Sequence, residues 1–177
     1  KLGIPTLHAG MAITFPKNSE AALENLRKIL FGEKVSYQIA NHPYNRKGIA
    51  EAEIVGGNLS ILYSLLGSES QINTDGKILF IEDLDEYLYH IDRIMQALKR
   101  AGMLKNLAGL IVGGMSDMND NTIPFGKTAE EIIRDIVSEY DFPVAFSFPA
   151  GHIDDNNPIV FGEKVRFEVN NSTVLVE

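Results

Sequence analysis

The 177-residue chain has no cysteine, which removes disulfides, thiolate metal sites and a cysteine nucleophile together. The same absence fits a reducing compartment. No apolar run approaches the roughly 20 residues that a membrane-spanning helix needs. No His-Glu-x-x-His pattern occurs, so nothing in the sequence supports a zinc site. Basic residues are also scarce: 16 Lys and Arg stand against 24 Asp and Glu, for a net charge of -8. Phosphate binding needs clustered Lys and Arg, so the charge argues against nucleic acid as the main partner. The compact basic pair Arg46-Lys47 lies beside a turn and reads as a solvated loop. The chain opens without an initiator Met or a signal-peptide pattern, and its start reads as the middle of something larger.

What is present has the balance of a folded protein, with 45% hydrophobic and 23% charged residues. The length allows one ordinary domain, or one domain and a fragment of another. Leu2 to His8 reads as a short strand. Asn18 and Ser19 are N-cap candidates for a helix with Leu23, Leu26, Ile29 and Leu30 on one face and Gly32 as its stop. Gly32-Glu33-Lys34 is the best boundary, dividing the chain into 1–34 and 35–177. With the sheet that would receive it missing, the 1–34 segment is expected to be poorly anchored.

Beyond that boundary Val35, Tyr37 and Ile39 alternate as a half-buried strand, and Ile49 to Val55 form another that ends at Gly56-Gly57-Asn58. Leu59, Leu62 and Leu66 mark a short helix. A strand over 77–82 precedes a longer helix using Ile91, Ile94, Met95 and Leu98, with Gly102 as its stop. A strand over 107–112 ends at Gly113-Gly114. Thr128 and Glu131 have capping-box spacing. Val144 to Phe148 is a further strand, and Val165 to Val176 a hairpin turning at Asn170-Asn171. Strands alternate with helices in the middle and pair locally at the end, which is α/β with an antiparallel addition.

Glu82 and His152 carry the chemistry of interest. Each sits at the C-terminal end of an apolar strand, where α/β folds place their sites. A carboxylate that orients an imidazole is the general-base half of a nucleophilic triad. From spacing alone His152 is equally readable as structural. His8, His42 and His90 read as structural or solvated. Glu82 opens the acidic run Glu82-Asp83-Leu84-Asp85-Glu86, in which Asp85 or Glu86 is explained by capping the helix that starts near Tyr87. Neighbouring carboxylates should raise one another's pKa, so a Glu82 that stays ionised needs a partner such as histidine. Gly57 and Asn58 either present backbone amides to a substrate carboxylate or form a plain turn with Asn58 as N-cap. Ser116 follows a strand as a nucleophile elbow does, but a polar loop follows it instead of a helix. Asp117, Asn119 and Asn121 have calcium-loop spacing, yet Thr122 and Thr128 stand where Gly and Glu are required, so that motif is rejected.

Together, Gly56-Gly57-Asn58-Leu59-Ser60, Leu79-Phe80-Ile81-Glu82-Asp83, Tyr89-His90-Ile91-Asp92-Arg93 and Gly151-His152 with Gly162 resemble the LD-carboxypeptidase family of serine peptidases, which includes the microcin C self-immunity peptidases. The resemblance implies that 35–177 is the family's C-terminal domain, of swivelling β/β/α type. It implies that 1–34 is the tail of an amidotransferase-like α/β domain. Glu82 and His152 map onto the family's catalytic carboxylate and histidine. The family's serine belongs to an N-terminal Gly-x-Ser-Asp elbow, so Ser116, which lies between Glu82 and His152, is out of triad order. The implied activity is cytoplasmic hydrolysis of the bond to the terminal D-alanine of murein tetrapeptides, in peptidoglycan recycling, with no metal or organic cofactor. The implied partners are a murein peptide, bound with the help of Gly57 and Asn58, and the chain's own N-terminal domain. A homodimer is one option, and no membrane is involved. The alternatives are a microcin C-type immunity peptidase and a non-catalytic binding or complementation fragment.

Overall fold

The computed structural model of the protein describes residues 3–177. Strand β1 (Thr6–His8) leads through a 3-10 turn (Ala12–Lys17) into helix α1 (Glu20–Leu30), then β2 (Tyr37–Ala40), β3 (Gly48–Asn58) and α2 (Leu59–Ser64). Next come β4 (Ile78–Leu84), α3 (Leu88–Arg100), β5 (Gly109–Ser116) and α4 (Ala129–Val137). Four strands follow: β6 (Val144–Ala145), β7 (Ile159–Phe161), β8 (Lys164–Val169) and β9 (Thr173–Val176).

Seven strands form one mixed sheet in the order β2-β9-β8-β3-β4-β5-β6. Strand β3 joins its two halves. Gly48 to Glu53 pair antiparallel with β8, and Ile54 to Asn58 pair parallel with β4. The α/β reading with an antiparallel addition therefore agrees with the fold. Helices α2, α3 and α4 cover one face of the parallel half, burying Leu79, Ile81, Leu110 and Val112 beneath Ile91, Ile94, Ile132 and Ile133. The opposite face buries Ile78, Phe80 and Ile111 against Phe148, Ala150 and Ile159. Each such Val, Ile, Leu or Phe side chain contributes roughly 1.5–3 kcal/mol by leaving water. Both faces of the central strands are dry, as parallel strands require.

Several local expectations agree with the structure. Ser19 accepts a hydrogen bond from the Ala22 amide at the start of α1, and Thr128 and Glu131 close a capping box on α4. Gly32 ends α1 with φ +80°. The β8–β9 hairpin turns where Asn170 accepts from the amides of Ser172 and Thr173.

Other expectations are corrected. Leu30, assigned to the apolar face of α1, is 68% exposed, and Ala22 is the buried residue of that helix. Strands β3 and β5 do not stop at their glycine pairs but run through them to Asn58 and Ser116. Gly56 is demanded by tertiary approach, since a Cβ there would stand 1.9 Å from the Phe80 carbonyl oxygen. The strand expected over 144–148 is only Val144–Ala145, because the chain turns at Ser147 with φ +57°. Arg46 is not a solvated loop residue. Its Nε donates to the Phe142 carbonyl and its Nη1 to that of Val137, tying β6 to the end of α4.

The N-terminal segment is also anchored, against expectation. Thr6 to His8 pair antiparallel with Ile159 to Phe161, although Leu2 of the expected strand lies outside the described residues. The Ser19 amide donates to the Asp154 carbonyl, and the Asn25 side chain donates to Asn157. A receiving strand, β7, is therefore supplied by the chain itself.

Candidate active site

Strand β4 positions its carboxylates by parity. Leu79 and Ile81 face the helices, whereas Ile78 and Phe80 face the other core. Glu82 continues the second set and Asp83 the first, so two adjacent acids emerge on opposite faces of the sheet.

The segment carrying His152 returns along the same face as Glu82. The Phe148 amide donates to the Val112 carbonyl and the Gly114 amide to that of Ala150, which lays Pro149 to Gly151 across the ends of β4 and β5. Gly151 has φ +110°. At that point Glu82 Oε2 lies 2.7 Å from His152 Nδ1 and accepts the His152 backbone amide at 3.2 Å. The Glu82 side chain is 1% exposed and that of His152 is 48% exposed. A carboxylate accepting from Nδ1–H leaves the Nε2 lone pair free, which is the tautomer that can take a proton.

Burial pushes the Glu82 carboxyl up, but the hydrogen bonds from His152 and the proximity of the His8 and His152 imidazoles outweigh it and hold the group below its ordinary value. The expected mutual raising within the acidic run does not occur at this residue. Asp83 faces the other way, and imidazoles surround Glu82. His8, read as structural from the sequence, is one of them, with Nε2 3.8 Å from Glu82 Oε1. The pairing of β1 with β7 brings it there, a long-range event that carries no local signal. His8, Lys17 and His152 line one cleft of about 330 Å³.

Asp83 belongs to a separate network. It accepts from the Asn58 side chain and from both the amide and the hydroxyl of Ser60. Ser60 Oγ also lies 2.8 Å from Glu86, whose other oxygen is 2.6 Å from His90 Nδ1. Neither Asp85 nor Glu86, one of which was expected to cap the next helix, is its N-cap: that is Tyr87, which makes no side-chain cap. Asp85 instead accepts from Asn119. His42 stays in its turn, with Nδ1 accepting from the Tyr44 amide.

Asn58 caps α2 by accepting from the Ile61 amide, and Gly57 pairs with Ile81 in the ladder. Ser116 is the last residue of β5 rather than a loop residue, and its hydroxyl donates to the His152 carbonyl, not to the ring. Among the described residues no hydroxyl hydrogen-bonds that ring, and no group of three His, Cys, Asp or Glu is placed to hold a metal ion. Among them no helix is long and apolar enough to cross a membrane.

Residues 51–167 match the model of the LD-carboxypeptidase C-terminal domain. The chain belongs to the LD-carboxypeptidase family. It is 37% identical over 134 residues to a probable murein peptide carboxypeptidase of Bacillus subtilis, an alignment covering 73% of this chain and 41% of that protein. The fold superposes on a muramoyltetrapeptide carboxypeptidase from Oxalobacter formigenes with a TM-score of 0.87 at 22% identity, covering 98% of this chain and 61% of that one. It also superposes on the microcin C7 self-immunity protein MccF with a TM-score of 0.81 at 20% identity, covering 99% and 61%. The chain spans about half the length of the curated LD-carboxypeptidase relatives it matches.

Proposed function

We propose that this chain supplies the general-base half of a serine carboxypeptidase that releases the terminal D-alanine of murein tetrapeptides in the cytoplasm. The observation that carries the reading is the contact between the buried Glu82 carboxylate and His152 Nδ1, at 2.7 Å. In this reading His152 takes the proton of a serine and returns it to the leaving amine, while Glu82 fixes the ring and supports the imidazolium. The serine and the oxyanion hole belong to an N-terminal domain of the full-length protein, of which residues 1–34 are the tail and 35–177 the following domain. The anchoring of the 1–34 segment on the loop after His152 suits such an arrangement, because it ties that domain's connection to the base. The backbone of Gly57 and Asn58 is assigned to the substrate side, their side-chain and ladder bonds serving to hold it rigid.

The test is D-alanine release by the full-length protein and its variants. Glu82→Gln and His152→Ala should each lower kcat by on the order of 10³–10⁴ with a smaller change in KM. The 177 residues alone should release none, and adding the N-terminal domain should restore release. Turnover by the isolated chain, abolished by changing one of its own serines, would overturn the reading.

The likeness in fold to MccF favours one second reading, a peptidyl-nucleotide substrate with the same base. Presenting both substrate classes to the full-length protein separates the two by kcat/KM.

A further inference from the structure

We propose that His8 is a positioning residue for Glu82, a neutral imidazole whose Nε2–H addresses Oε1 of the carboxylate and leaves Oε2 to His152. The proposal rests on the general-base reading of Glu82 and His152.

The two oxygens of Glu82 have different surroundings. Oε2 accepts from the His152 amide and lies 2.7 Å from its Nδ1. Oε1 faces His8 Nε2 at 3.8 Å, beyond hydrogen-bond length but close enough for charge and dipole to interact. Catalytic hydrogen bonds are commonly this long before substrate closes a site. A carboxylate held by one oxygen can turn about its last bond and carry Oε2 away from the imidazole it serves. A donor on Oε1 removes that freedom.

The environment of the ring selects its tautomer. His8 packs edge-on against Phe80 at 5.2 Å between centroids, and tilted against Phe161 at 5.7 Å. Its Nδ1 is buried without a hydrogen-bond partner. A proton on Nδ1 would therefore be a buried donor with no acceptor, and in the neutral ring it would turn the Nε2 lone pair toward a carboxylate. The neutral Nε2–H form avoids both. Pairing of His8 with Ile159 fixes the backbone from which the ring reaches Glu82.

Two substitutions in the full-length protein separate positioning from packing. His8→Phe keeps an aromatic ring on Phe80 and Phe161 but removes the donor. His8→Gln keeps a donor near the Nε2 position and loses the ring. Positioning predicts that His8→Phe lowers kcat roughly 10–100-fold, the worth of one hydrogen bond to a charged group, with KM little changed. His8→Gln should retain kcat within a few-fold. Packing predicts the reverse order, and parent-like kcat in His8→Phe would overturn the proposal.

Glu82→Gln measured in parallel keeps the two ideas apart. If it retains turnover, the base reading has failed; if it collapses while His8→Phe does not, only the role of His8 has failed. Should His8→Phe not fold, ¹⁵N NMR of the unsubstituted 177-residue chain decides the matter. His8 should be protonated at Nε2 and bare at Nδ1, and the opposite tautomer would refute the inference.

Discussion

Gly151 stands so close to Glu82 that a Cβ at this glycine would lie 2.8 Å from Oε2 and equally near the Glu82 Cβ. The missing side chain is what lets the His152 segment lie flat over the carboxylate. Gly151→Ala would add both this overlap and a side chain at φ +110°. Urea unfolding should show a loss of about 2–4 kcal/mol. In the full-length protein the displaced imidazole should cost on the order of 10²-fold in kcat.

Ser116 should be dispensable for turnover. Its hydroxyl donates to the His152 carbonyl at 2.8 Å, a contact that steadies the segment without touching the ring. D-alanine release by full-length Ser116→Ala should stay within a few-fold of the parent. A fall of roughly 10³-fold or more would mark it as a nucleophile instead.

Glu82 should titrate low. Burial raises its pKa, but the two imidazoles outweigh burial and keep it beneath the ordinary value of 4.5. Carbon-13 NMR of the side-chain carboxyl should give a midpoint below 4.5 in the parent chain and a higher one in His152→Ala, where part of the opposition to burial is gone. The linkage sign follows from a folded pKa below the unfolded one. The associated stability is fully present above the unfolded value and is lost as pH falls through the folded value. The stability gap between parent and His152→Ala should therefore narrow as pH falls from the unfolded value through the folded one, and stay closed below it.

Asp83 and Asp85 should behave oppositely in thermal unfolding. Asp83 is 2% exposed and accepts from Asn58 and twice from Ser60. Asp83→Asn puts donors where only acceptors fit, at a cost of about 2–3 kcal/mol. Asp85 is exposed at φ +59°, a conformation that Asn also tolerates, so Asp85→Asn should fall within about 0.5 kcal/mol of the parent.

Local chemistry was legible in the sequence wherever it was decided locally. The Thr128–Glu131 box, the Gly32 stop and the apolar stripe of α3 each needed only a few neighbouring residues. Glu82 was legible as a polar group near a strand end and His152 as a polar group following an apolar run; they do meet in space, although the strand expected before His152 stops at Ala145. Features decided by distant approach were not. Gly56 looks like a turn residue until the Phe80 carbonyl lies against it, and His8 looks structural until β7 draws β1 onto the Glu82 side of the sheet. Alternation could not separate Glu82 from Asp83 either, because both faces of β4 are buried and an all-apolar strand does not announce which face is which.

That parity has a mechanical consequence. Glu82 and Asp83 share one peptide plane, with Asp83 gripped by the amide and hydroxyl of Ser60 in α2 and Glu82 gripping the loop beyond β6. The strand end holds two neighbours at once, the start of α2 through Asp83 and the His152 segment through Glu82. The aim of His152 is thus referenced to α2 across the full thickness of the sheet, and a residue inserted in β4 before this pair would exchange which acid meets the ring.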